Sequence, residues 1–122
     1  ASDPRNLCPT GWHVPTDKDW TRLTEFLEGY LVAGYRIKSL DDKHWPKYNQ
    51  DTLEVSLFEA VPSGNRDSEG VFRSVQTFGG WWSSTESGTE NAWGRCIHDD
   101  NSTVTRGDGE KKGGFSVRCI KD

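Results

Sequence analysis

One polar stretch, residues 96–112, contains several side chains that could carry chemistry. Its acidic members are Asp99, Asp100, Asp108 and Glu110. Because Ca²⁺ takes oxygen ligands from loops, these acids are one candidate cation site. EF-hand spacing is absent, however, so solvated loop acids are the simpler interpretation. The sequence therefore predicts no cofactor and no metal ligands, with calcium kept as the alternative.

The other reactive side chains lack partners at mechanistic spacing. His98 has none in a motif, which favours a surface contact role. Ser83 and Ser84 lack the Gly-x-Ser-x-Gly context of a hydrolase nucleophile. No Cys-x-x-Cys pair or Cys/His zinc spacing occurs. We therefore predict that the chain is not an enzyme.

The cysteines are Cys8, Cys96 and Cys119. Paired terminal strands would bring Cys8 and Cys119 together, and a disulfide there would close a loop of over a hundred residues. Such a bridge would contribute on the order of 4–5 kcal/mol and would suit an extracytoplasmic protein. The alternative is that both are reduced, buried residues. With the bridge formed, Cys96 is unpaired.

The composition limits the fold and the partners. With 122 residues, 32% of them hydrophobic and 6 of them Trp, the chain predicts one domain with a modest core built from large rings. A net charge of -4 disfavours a nucleic-acid-binding face and allows a soluble monomer. No apolar run approaches the length of a membrane span. Because Met is absent, we expect a processed or excised segment, in which a missing targeting signal carries no information.

One helix is predicted at residues 17–30. Thr16 is a good N-cap, and Asp19 occupies the capping-box position. Apolar side chains then recur at helical spacing: Trp20, Leu23, Phe26, Leu27, Tyr30 and Leu31. Residues 35–39 are predicted to form a short strand. Residues 41–51 are predicted to form a loop in which Trp45 is partly exposed.

Period-two alternation predicts strands at residues 81–84, 92–98, 103–106 and 115–120. The last three are expected to form a meander joined by loops at residues 99–102 and 107–113. In residues 92–98, one face carries Gly94, Cys96 and His98, and the other carries Trp93, Arg95 and Ile97. The rings expected in the core are Trp12, Trp20, Trp81, Trp82 and Trp93.

Short glycine- and aromatic-rich motifs, here called words, occur along the chain. They are CPTGWHVPT at 8–16, PSGNR at 62–66, GGWWSSTE at 79–86, AWGR at 92–95 and GGFSVRCIKD at 113–122, with Trp20 after the first. In these words the chain resembles the Fibrobacter succinogenes major paralogous domain family of bacterial cell-surface and secreted proteins. The resemblance implies an α+β, C-type-lectin-like fold over residues 8–122, after an N-terminal tail at 1–7. Such a fold packs one or two helices on a small, twisted, mainly antiparallel sheet with a loop-rich region.

Residues 81–122 also resemble the C-terminal region of retroelement-diversified variable proteins of phages and gut bacteria. In those proteins, fixed scaffold words frame exposed positions that are mutagenised at adenines. The resemblance implies variable, ligand-binding positions at Ser87, Thr89, Gly94, Cys96, His98, Asp99, Asp100, Ser102, Thr103, Thr105, Gly107, Asp108 and Glu110. An unpaired Cys96 in a polar context fits a randomised position better than a selected disulfide.

Departures from related families limit what carries over. The Glu-Pro-Asn and Trp-Asn-Asp words of calcium-dependent lectins are absent, so calcium-mediated sugar binding is not implied. Sulfatase-modifying enzymes share the general fold but need a reactive cysteine pair. Here two of the three cysteines are expected to be structural, so no enzymatic role is implied.

These observations together predict a non-enzymatic, extracellular or cell-surface ligand-binding module, or one carried on a phage particle. Its binding face is expected to combine Gly94, Cys96, His98, Thr103 and Thr105 with the loops at residues 99–102 and 107–110. The expected partner is a protein or glycan on another cell surface, with no nucleic acid and no direct membrane insertion. Three alternatives stay open: a carbohydrate-binding adhesin that uses an exposed Trp, an enzyme of the sulfatase-modifying class, and a structural surface domain.

Overall fold

The computed structural model describes residues 6–39, 44–45 and 58–122, and over these residues the fold is α+β. Its elements, in chain order, are β1 (Trp12–His13), α1 (Asp17–Phe26), α2 (Ala33–Ile37), β2 (Asn65–Arg66), β3 (Phe72–Arg73), β4 (Phe78–Glu86), β5 (Asn91–His98), β6 (Thr105–Glu110) and β7 (Ile120–Lys121). All strand pairs among them are antiparallel: β1 with β7, β2 with β3, and β4-β5-β6 as a central sheet. None of the described helices is long and apolar enough to cross a membrane.

The predicted start of α1 is confirmed, whereas its predicted end is wrong. The Asp19 backbone N–H donates to the Thr16 hydroxyl at 3.2 Å, and the Thr16 N–H donates back to the Asp19 carboxylate at 3.0 Å. This reciprocal pair is the predicted capping box. The helix stops at Phe26 rather than at residue 30, because Glu28 and Gly29 take φ angles of 72° and 98°. Those left-handed values cannot continue a right-handed helix.

The strand predicted at residues 35–39 is wrong, because residues 33–37 form α2. Ala33 and Ile37 lie four residues apart and are both buried, so the segment uses the helical period. Only Lys38 makes a single parallel bridge, to Ala60. Most of the loop predicted at residues 41–51 lies outside the described residues. Trp45 is described and is fully buried, with its Nε1–H donating to the Ala60 carbonyl at 2.8 Å, so its predicted exposure is wrong.

The central sheet contains the strands predicted at residues 81–84 and 92–98. On the face toward α1, Trp81 packs against Trp20 with ring centroids 6.5 Å apart, and both rings are buried as predicted. Ile97 is buried in the same cluster. Three rings depart from the expected core set. Trp82 and Trp93 are only half-buried. Trp12 lies at the chain-end pairing and is 45% exposed.

The predicted C-terminal meander is wrong in its last strand and in one loop. β6 runs through Gly107 and Gly109, which lie in the predicted loop at residues 107–113. A Cβ at position 109 of the ladder would lie 3.1 Å from the Trp82 ring, so tight packing rather than a turn accounts for the glycine there. Residues 115–119 are not strand, and β7 pairs with β1 instead.

The pairing of β1 with β7 joins the two ends of the described chain. Trp12 lies opposite Lys121, and His13 lies opposite Ile120. This pairing places Cys8 and Cys119 with their Cα atoms 5.8 Å apart, within the range that a disulfide spans. The predicted Cys8–Cys119 disulfide is confirmed, and Cys96 is the free cysteine.

Candidate functional site

One acidic side chain at the start of α1 joins the helix to two strands of the central sheet. Arg95 on β5 is 3% exposed, and its Nη1 donates to the Asp17 carboxylate at 2.7 Å. Arg106 on β6 donates to the same carboxylate from Nε at 3.0 Å and from Nη2 at 3.1 Å. The Arg106 guanidinium also lies 3.4 Å from the centroid of the Trp93 ring. Burial alone would raise the pKa of Asp17, but the hydrogen bonds from Arg106 and Arg95 outweigh it and hold that pKa below its usual value.

A second set of contacts fixes the loop between β5 and β6. The buried Lys38 ammonium donates to the Asn101 carbonyl at 2.7 Å. The Ser102 hydroxyl donates to the Leu31 carbonyl at 2.7 Å, and the Gly34 N–H donates to the Ser102 carbonyl at 2.8 Å. Burial lowers the pKa of Lys38 to about 8, although the nearby acids of the loop oppose this shift. The loop at residues 101–102 is therefore held in place by α2 and by the residues that flank α2, Leu31 and Lys38.

Five candidate residues of β5 and β6 share one face but differ in exposure: Gly94, Cys96, His98, Thr105 and Gly107. We call this side of the sheet, away from α1, the outer face. Gly94 lies opposite Gly107 and Cys96 opposite Thr105 in the ladder. Thr105 is exposed, but Gly94 is buried, so it offers no surface to a ligand. Packing explains the burial of Gly94, because a Cβ there would meet the Trp81 carbonyl oxygen at 2.9 Å and the Phe115 ring at 3.5 Å.

The remaining candidates fall into two further places. At the loop between β5 and β6, Asp99 is buried and Asp100 is exposed, while Ser102 and Thr103 are half-buried. At the other end of the hairpin, the Asp108 carboxylate accepts hydrogen bonds from Ser87 at 3.1 Å and from Asn91 at 2.9 Å. These bonds, led by the one from Asn91, lower the pKa of Asp108. Thr89 and Glu110 are exposed at this same end. The thirteen predicted positions therefore do not form one continuous patch.

The four acids considered as a calcium site are divided between those two ends of the hairpin. Across residues 6–39, 44–45 and 58–122, no group of three or more His, Cys, Asp or Glu side chains is placed to hold a metal ion. Asp108 instead accepts two side-chain hydrogen bonds within the protein. The single free thiol, Cys96, is half-buried, and burial raises its pKa to about 11. A thiol with that pKa is protonated at neutral pH and is a poor nucleophile.

A groove that the sequence did not predict lies between α1 and the start of β6. It has a volume of about 480 Å³. Its lining is Thr21, Thr24, Glu25, Gly29, Tyr30, Arg95, Thr103, Val104, Thr105 and Arg106. Tyr30 was assigned to the buried stripe of a longer helix, yet it is 60% exposed. The signal that would have placed it correctly is Gly29, a residue that commonly ends helices.

Comparison with known proteins identifies one family. The family model described as the Fibrobacter succinogenes major domain matches residues 1–121. No curated protein and no solved structure matches the chain.

Proposed function

The chain belongs to the Fibrobacter succinogenes major domain family, and we propose that it is a non-enzymatic, extracellular ligand-binding module with a C-type-lectin-like arrangement of its elements. Its partner is a protein or glycan on another cell surface. The display surface proposed to meet that partner comprises His98, Asp100, Asn101, Thr103 and Thr105.

One observation carries this proposal: buried groups hold the backbone of the display surface while most of its side chains face solvent. Lys38 fixes the carbonyl of Asn101, and Gly34 fixes that of Ser102. Arg106, directly after Thr105, is tied to the helix through Asp17. A fixed backbone lowers the ordering cost of binding, and exposed polar side chains supply adaptable contacts.

Two further observations support an extracellular and non-enzymatic role. The Cys8–Cys119 disulfide is compatible with an oxidising compartment. It also removes two of the three thiols from any reactive pair, and Cys96 is kept protonated by burial. An enzyme of the sulfatase-modifying class would need two reactive thiols. Because only Cys96 is unbonded, we expect thiol titration of the native protein to find no readily modified pair.

Retroelement diversification is part of the proposal, but the burial of some candidate residues reduces the number of positions expected to vary. Substitutions are expected at exposed positions and not at buried ones. The exposed positions are Thr89, His98, Asp100, Thr105, Asp108 and Glu110, and the buried ones are Gly94 and Asp99. Deep sequencing of the locus in a growing population tests this idea. A uniform locus without a near-copy template and a reverse transcriptase would leave a fixed binding module.

The binding role itself is tested by screening the disulfide-intact domain against arrays of extracellular proteins and purified glycans. A ligand that binds the display surface should lose at least tenfold in affinity for the triple variant His98→Ala/Asp100→Ala/Thr105→Ala. A matched control, Thr10→Ala/Ser68→Ala/Glu69→Ala, also removes three exposed polar side chains and one negative charge. Equal affinity of the two variants for every ligand found would contradict the proposed surface.

A further inference from the structure

The groove between α1 and the start of β6 has the size of a small-molecule site. Its volume of about 480 Å³ falls within the roughly 300–1,000 Å³ typical of ligand pockets. One wall carries Thr21, Thr24 and Glu25 from α1, and the opposite wall is residues 103–106. The backbone N–H of Val104 donates to the Tyr30 carbonyl at 2.7 Å, which holds the two walls together at one end.

Three side chains in this groove keep hydrogen-bonding capacity for a ligand. The Glu25 carboxylate, the Tyr30 hydroxyl and the Thr103 hydroxyl make no hydrogen bond to another residue in the described part of the chain. By contrast, the Thr21 hydroxyl donates to the Asp17 carbonyl and accepts from Arg95. Acceptors, donors and an exposed ring therefore line one cleft. A purely apolar ligand would bury these polar groups without partners, which is costly.

The charges around the groove favour a neutral ligand. Two guanidinium groups, on Arg95 and Arg106, are balanced by the carboxylates of Asp17 and Glu25. An anion would meet the open carboxylate of Glu25, and a cation would meet the exposed guanidinium of Arg106. Neither sign of ligand charge gains from the set as a whole.

We propose that this groove binds a neutral sugar residue without calcium. One face of the sugar ring packs on the Tyr30 ring, which is 60% exposed. The sugar hydroxyls donate to the Glu25 carboxylate and exchange hydrogen bonds with the Thr103 hydroxyl. The inference rests on the proposed binding function, because Thr103 and Thr105 belong both to the groove and to the display surface, and it deepens that function by naming a ligand class.

The experiment uses the disulfide-intact domain in EDTA, titrated with neutral manno-, malto- and cello-oligosaccharides while its ¹⁵N–¹H NMR spectrum is recorded. We expect saturable shifts confined to residues 21–30 and 103–106. Tyr30→Ala should weaken binding at least tenfold, and Glu25→Gln should weaken it severalfold. The matched control is Phe26→Ala, which removes another exposed ring, 83% exposed, that does not line the groove. It should bind within twofold of the wild type.

Several outcomes would overturn the sugar proposal. They are no saturable shift with any neutral oligosaccharide, equal binding by Tyr30→Ala and Phe26→Ala, binding that appears only with acidic glycans, and shifts at the groove produced by unstructured peptides instead of sugars. Thermal unfolding of each variant identifies any that fail to fold, and Glu25→Gln then serves as the second test. If no neutral oligosaccharide binds while a protein ligand loses affinity for the display-surface triple variant, the proposed function stands and the sugar site fails. If no oligosaccharide binds and no ligand loses affinity for the triple variant, both proposals are refuted.

Discussion

Replacing Gly94 and Gly107 by alanine, one at a time, measures how far the outer face of the sheet tolerates side chains. The two glycines lie directly opposite each other in the β5–β6 ladder. A Cβ at Gly94 would meet the Trp81 carbonyl oxygen at 2.9 Å, whereas a Cβ at Gly107 would meet nothing within 4 Å. Neither residue has a positive φ, so alanine strains the backbone at neither position.

The intrinsic gain of alanine over glycine in a strand, about 0.5–1 kcal/mol, applies to both variants and cancels in their comparison. What remains is the overpacking at Gly94, which typically costs about 1–3 kcal/mol. The backbone carbonyl of Trp81 cannot rotate away as a flexible side chain would, so β4 and β5 must separate. We therefore expect Gly94→Ala to be less stable than Gly107→Ala by about 1–3 kcal/mol.

Urea unfolding followed by Trp fluorescence gives the two free energies of unfolding, with equal m-values as the check that both variants unfold alike. Equal stability of the two variants, within about 0.5 kcal/mol, would refute the reasoning from packing. It would also restore Gly94 as a position open to diversification. The expected difference instead limits variation on this face to positions such as Gly107.

Three further predictions concern stability. Reducing the bond between Cys8 and Cys119 should lower the free energy of unfolding by about 4–5 kcal/mol, measured by urea unfolding with and without a reductant. Protonated His13 donates a hydrogen bond to the Asp122 carboxylate, which raises the pKa of His13. This contact therefore stabilises the fold fully below pH 6.5, and the stabilisation is lost as the pH rises through the raised pKa. In urea unfolding at several pH values, Asp122→Asn should flatten that slope. Burial lowers the pKa of Lys38 to about 8 from 10.5, so the unfolded chain binds more protons between those values and stability should rise with pH there. Lys38→Met should remove that rise, and an unchanged slope in the variant would contradict the assignment.

Local signals allowed the start of α1 and the two long strands to be predicted. The capping box at Thr16 and Asp19 depends on four consecutive residues, and the alternation in β5 depends on its own strand. Each pattern depends only on residues that are close in sequence, and the tertiary packing of the domain is consistent with both.

The errors arose where a distant contact decides the conformation. Gly109 lies in the predicted loop, yet it is a strand residue whose lack of a side chain leaves room for the Trp82 ring. Partial exposure was predicted for Trp45 because it lies in a predicted loop, outside the glycine- and aromatic-rich words, but its indole N–H donates to the carbonyl of the buried Ala60. The groove was missed for the same reason, since it exists only where Tyr30 meets the segment before β6.

The covalent link between Cys8 and Cys119 has a mechanical consequence. Tension applied through the flanking chain would enter the domain at one cysteine and leave at the other, which lie 111 positions apart in sequence but 5.8 Å apart between Cα atoms. The S–S bond carries that load directly, so the helices, the central sheet and the groove between them are bypassed. In the proposed cell-surface setting, the domain would then keep its binding geometry when its two ends are pulled apart.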